Sequence, residues 1–182
     1  MPRPATERLD NHDVQTVYRF DENSQPNDWE VEDDVVMGGV SSGNFELVQP
    51  EEPDESPNGR FYGHVSLENN GGFSSIQRRL PEPVSFPGKV AFSIRFRGDG
   101  KRYNWRVKPV GERYSYTFEF LTAGHGEWET TTIPFDAMKA QFRGEPVDVP
   151  NYSGGEIEMI RFLIGNKKEE DFELLIDEIE VM

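Results

Sequence analysis

The chain has 182 residues, no cysteine, 35% hydrophobic and 12% aromatic residues, and a formal net charge of −15. Absence of cysteine excludes disulfide stapling and thiolate metal sites, and the charge disfavours contact with nucleic acid or an anionic membrane. No apolar run approaches the roughly 18 residues needed to span a bilayer as a helix, and a single all-β domain is the default at this length.

In chain order, residues 1–14 read as a flexible tail ahead of one domain at 15–182. Met1–Asp13 has no apolar leader segment and carries Glu7, Asp10 and Asp13, which a mitochondrial transit peptide avoids, so a cytoplasmic location is expected. A first strand is predicted at Thr16–Phe20. It is followed by a glycine-bearing stretch, Asp33, Asp34, Val35, Val36, Met37, Gly38, Gly39, Val40 and Ser41. This lacks the Gly-Lys-Ser/Thr ending of a phosphate loop. Asp33 and Asp34 are expected to cap the turn before Met37. A strand follows at Gly43–Val48, then QPEEPDESPNG (49–59), an acidic, proline-rich segment expected to be a long exposed loop.

Phe61, Gly63, Val65 and Leu67 alternate on one strand face, ahead of a second glycine-bearing stretch, Glu68, Asn69, Asn70, Gly71, Gly72, Phe73, Ser74 and Ser75. In both stretches the glycines read as tight turns with positive φ, so valine at Gly39 or Gly72 is expected to unfold the domain through backbone strain. Strands are then predicted at Ser74–Leu80, at Val90–Phe96, at Tyr103–Val107 and at Tyr114–Phe120. The last ones fall at Glu127–Phe135, Glu158–Gly165 and Phe172–Val181. Phe135–Ala140 is the one stretch with room for a short helical turn. About ten short antiparallel strands, each with one apolar face, define an all-β sandwich or jelly roll.

The charge is unevenly placed. From Arg78 to Arg113, ten Lys or Arg stand against three Asp or Glu, a local +7 that leaves −22 for the rest. A solvated basic sheet face inside an acidic coat explains this blandly, and so dense a coat also suits a high-salt cytoplasm. Alternation places Arg95 and Arg97 on the polar side of one strand, Asn104, Arg106 and Lys108 on the next, and Ser115, Thr117 and Glu119 on a third. If those strands are neighbours they form a basic, hydrogen-bonding binding groove. Trp105 and Tyr116 belong to the apolar series and read as core, whereas Tyr62 and Tyr152 read as loop aromatics. A site is expected if Asn69, Asn70 and Asp99 cluster beside the basic strands.

Catalytic spacing is not recognisable. His12, His64 and His125 read as a tail, a strand and a turn residue, and 34 acidic residues make chance carboxylate pairs such as Glu119 with Glu127 uninformative. No enzyme activity and no cofactor are expected. No EF-hand-like run of oxygen ligands is present.

The ordered segments Trp29 with DDVVMGGVSSGNF (33–45), FYGHVSLENNGGFSSIQ (61–77), RGDGKRYNW (97–105), YSYTFEF (114–120), GEWETTTIPF (126–135) and FELLIDEIEV (172–181) resemble the family of complex I intermediate-associated proteins. That resemblance runs nearly end to end. It implies a galactose-binding-like β-sandwich similar to many carbohydrate-binding modules, a fold that often ties its first loop to its last strand through a structural calcium, for which Asp21 and Asp177 are weak candidates. It also implies a non-catalytic, chaperone-like assembly role toward protein partners, such as subunits of respiratory NADH:ubiquinone oxidoreductase. A module that binds a glycan is the alternative.

Overall fold

A computed structural model describes residues 14–182; the expected tail at 1–14, with His12, falls outside these residues but for Val14. Thirteen strands are present: β1 (Gln15–Arg19), β2 (Glu30–Asp33), β3 (Ser42–Val48), β4 (Asn58–Val65), β5 (Ser74–Val84), β6 (Ala91–Arg97), β7 (Arg102–Pro109), β8 (Ser115–Leu121), β9 (Glu129–Pro134), β10 (Lys139–Phe142), β11 (Glu145–Pro146), β12 (Ile157–Ile164) and β13 (Glu170–Val181). The first sheet runs β3-β4-β13-β6-β9, and the second runs β11-β10-β8-β7-β12-β5-β2. Twelve-residue β13 is long enough to hold two partners on one side. Its first half pairs with β4 and its second with β1, while β6 lies along its other side.

Alternation of apolar and polar residues builds the core. Phe92, Ile94 and Phe96 of β6 and Tyr103, Trp105 and Val107 of β7 are essentially inaccessible, as is Phe162 of β12. The Trp105 ring lies 5.3 Å from Phe92 on the first sheet and 5.0 Å from Phe162 on its own. Phe96 meets Phe120 across the sandwich at 5.1 Å. Such ring pairs contribute about 0.5–1.5 kcal/mol each beyond the area they bury, which offsets the low aliphatic content.

Three expectations change and a fourth is narrowed. Among the described residues the strands number thirteen, not about ten, because β2, β10 and β11 are short and polar enough to hide their alternation. The short helical turn expected within Phe135–Ala140 is present as one 3-10 turn at Phe135–Ala137, and Lys139 already opens β10. The acidic loop ends sooner than expected, since Asn58 and Gly59 belong to β4. Tyr152 is not a loop aromatic on the surface but a core residue, 3% exposed. Its backbone N–H donates to the Met138 carbonyl and its hydroxyl to the Gly155 carbonyl at 2.7 Å, which turns the ring inward against Phe135 and Tyr116.

Candidate functional site

The two glycine-bearing stretches meet around one carboxylate. Asp34 is fully buried, and it accepts hydrogen bonds from the Ser41 N–H (3.0 Å), the Ser41 hydroxyl (2.5 Å), the Gly72 N–H (2.6 Å) and the Phe73 N–H (3.3 Å). Ser41 Oγ in turn accepts the Ser66 N–H at 2.9 Å. Burial pushes the Asp34 pKa up, but the bonds from Ser41, Gly72 and Phe73 outweigh it and hold the group below its ordinary value. Asp33 does similar work, accepting the Gly43 N–H at 3.0 Å and the Ser74 hydroxyl at 2.5 Å. Neither side chain caps the 3-10 turn at Asp34–Met37, so the expected capping role gives way to long-range clamping.

The glycines split into two kinds. Gly38 and Gly72 have φ of 87° and 137°, which disfavours any other residue. Gly39 and Gly71 take no positive φ. They are glycine because a Cβ would stand 2.3 Å from Asp34 Cγ at Gly39 and 2.4 Å from Asp34 Oδ2 at Gly71. Strain at Gly39 is therefore a matter of space, not of φ. Asn69 and Asn70 form the exposed left-handed turn of the second stretch, with φ of 55° and 61°.

Asp99 likewise ties elements together, accepting the Tyr103 hydroxyl at 3.0 Å and the Glu173 N–H at 2.8 Å. Burial and the neighbouring Asp99 charge drive the Tyr103 pKa far up. Among the described residues no group of three His, Asp or Glu side chains is placed to hold a metal ion. Asp177 is committed to Arg95 at 2.6 Å, and Asp21 Oδ1 accepts the Asn23 N–H at 2.8 Å. His64 is exposed, with Nδ1 2.8 Å from Asp171.

The expected basic groove is divided between the two sheets. β7 and β8 are neighbours, with Arg106 opposite Thr117 and Asn104 opposite Glu119. β6 belongs to the other sheet, so Arg95 and Arg97 face solvent on the opposite side of the molecule. The chain crosses between sheets at 98–101, and alternation reports which residues face the core, not which sheet carries them.

On the first sheet, Arg95 and Arg97 sit 4.8 and 5.0 Å from the Trp128 ring centre, a cation–π arrangement on one indole. On the second, register aligns Gln77, Arg161, Arg106, Thr117 and Lys139 in one row across β5, β12, β7, β8 and β10. Arg161 ion-pairs with Glu32 at 3.3 Å and bonds Gln77. Burial, and then the Arg161 charge, hold the Arg106 pKa down to about 10. Lys108 pairs with Glu158 at 2.5 Å, which keeps that carboxyl below its ordinary value. Beyond Asn104, the same face ends in a cavity of about 460 Å³ lined by Lys101, Arg102, Glu119, Lys167 and Lys168, among others. Glu119 is held there by Arg102 at 3.7 Å. Arg161 was the residue missed from sequence, although one arginine in the apolar run MIRFLI (159–164) is the signal.

Two antiparallel sheets around an aromatic core, with a polar face spread over β5, β12, β7 and β8, define a galactose-binding-like β-sandwich. Its fold is similar to that of a family 11 carbohydrate-binding module from Clostridium thermocellum in complex with a β-1,3-1,4-mixed-linked tetrasaccharide. The TM-score is 0.69 at 13% identity, over 93% of this chain and 95% of the module. The family 11 module of the cellulosomal cellulase Lic26A-Cel5E of the same organism gives 0.67 at 14% identity, over 91% and 93%. At these identities the likeness shows the fold alone. By sequence, residues 18–176 match the Complex I intermediate-associated protein 30 (CIA30) family, and the chain belongs to that family. An uncharacterized protein of Schizosaccharomyces pombe is 24% identical over 177 residues, covering 87% of this chain and 79% of the relative. No helix among the described residues is long and apolar enough to cross a membrane.

Proposed function

We propose that the chain is a non-catalytic binding domain that acts as an assembly factor for a multisubunit complex, holding a protein partner on the outer face of the second sheet. Membership of the CIA30 family over residues 18–176 carries this reading. The face suits it: arginines on a rigid sheet, with hydrogen-bonding neighbours, are the groups that anchor protein interfaces. An acidic body around a basic face also orients an incoming partner.

Tagged chain at its native level is expected to recover subunits of a membrane-bound respiratory complex, and deletion is expected to lower assembled complex I. Recovery of no such subunit, with assembly intact after deletion, removes the reading. Because the two basic faces are on opposite sides, single charge reversals separate them. Arg106→Glu is expected to weaken capture by about tenfold or more, and Arg95→Glu to leave it near wild type. The opposite ranking moves the interface to the Trp128 side.

The shared fold with a tetrasaccharide-bound module favours a second reading, in which Asn104, Thr117 and Glu119 hydrogen-bond a glycan. Calorimetric titration with the mixed-linked tetrasaccharide checks it. Heat of binding that disappears in Asn104→Ala supports the glycan, and silence removes that ligand.

A further inference from the structure

Arg106 and Arg161 are directly opposed across the β7–β12 pair. Like charges in that position, with Cβ atoms about 4.5–5.5 Å apart, repel and destabilise a sheet. Arg161 has Glu32 and Gln77 as acceptors. Arg106 has no ion pair with any carboxylate among the described residues, and its Nε is shielded from solvent without an acceptor. Arg97 on the first sheet shares both properties but lies over the Trp128 ring, whereas Arg106, at the middle of the second sheet's polar face, is opposed by another arginine.

We propose that Arg106 and Arg161 together receive a carboxylate from the protein partner, an Asp or Glu side chain on an exposed segment, so that partner binding supplies the missing countercharge. This rests on the assembly reading above. A carboxylate between two guanidinium groups accepts paired charge-assisted hydrogen bonds, about twice as strong as neutral ones. Thr117, opposite Arg106 on β8, brings a hydroxyl to the same row.

The test follows arginine Nε–Hε resonances of the full chain during titration with a blocked tetraglutamate peptide, beside blocked tetraglutamine and trigalacturonate. Tetraglutamate is expected to shift the Arg106 signal saturably and tetraglutamine to leave it unmoved. The dissociation constant is expected to rise about tenfold or more in Arg106→Gln and only a few-fold in Arg106→Lys. Arg106→Gln should melt at or above the wild-type temperature, because it removes a repulsion, so lost binding is not lost folding. An unmoved Arg106 signal, equal affinity in Arg106→Gln, or a response to trigalacturonate alone overturns the proposal. Equal capture of native subunits by wild type and Arg106→Gln, with no tetraglutamate response, overturns the carboxylate and leaves assembly standing. A tetraglutamate response with no subunit recovered supports the carboxylate and removes assembly.

Discussion

Replacing Asp34 with Ala is expected to lower stability by about 4 kcal/mol, because three backbone N–H groups, one buried and two part-buried, lose their acceptor at about 1–3 kcal/mol each, while the Ser41 hydroxyl keeps only the Ser66 carbonyl at 3.2 Å. For a domain of this size about 1 kcal/mol corresponds to about 2–4 °C, so the melting temperature should fall by roughly 10 °C. The loss should be global, since Asp34 joins the segment before β3 to the loop before β5 and, through Ser41, to Ser66. Asp34→Asn tests the charge separately. It keeps the size but replaces one acceptor oxygen with a donor, and should cost nearly as much. Thermal melts of the two variants decide this; a shift below about 3 °C in Asp34→Ala would make the cluster incidental.

The same carboxylate gives the stability a pH dependence of known sign. Its folded-state pKa is below the ordinary 3.8, so its contribution is fully present above that value and is lost as the pH falls through the lower, folded-state one. Acid melts of wild type should therefore steepen below about pH 4, and those of Asp34→Asn should be flatter over the same range by this group's share.

Much of this was legible in the residues themselves. Period-two alternation identified Phe92, Ile94, Phe96, Tyr103 and Trp105 as core because one buried face is what a sandwich strand needs. It could not assign strands to sheets: Arg97 and Asn104 look like neighbours on one face, yet the turn at 98–101 carries the chain across the core. The glycine-bearing motifs were visible as motifs, but their meaning was not. Asp34 finds Gly72 and Phe73 38 and 39 residues away, and a local reading offers only a cap for the nearest turn. Tyr152 failed for a similar reason, since the segment between β11 and β12 has no alternation to show that its ring turns inward. Arg106 was legible as a polar-face residue. What makes it chemically unusual is Arg161, brought opposite it by register alone.

The clamp also predicts which glycines depend on Asp34 and which do not. Gly39→Ala places a methyl group within 2.3 Å of the Asp34 carboxyl carbon, so either the methyl or the carboxylate must shift, and every bond made by the carboxylate weakens. A cost of about 2–4 kcal/mol is expected, at or above the usual overpacking penalty. In an Asp34→Ala background the obstructing atoms are gone, and the same Gly39→Ala change should cost less than about 1 kcal/mol, a coupling energy near 2 kcal/mol. Gly38→Ala is the control. Its Cβ would have open space within 4 Å, and its φ of 87° imposes a penalty of about 1–2 kcal/mol that has nothing to do with Asp34. Gly38→Ala should therefore add to Asp34→Ala, whereas Gly39→Ala should not. Denaturant melts of the two cycles measure the difference, and additivity at Gly39 would mean that the glycine serves the backbone there and not the carboxylate.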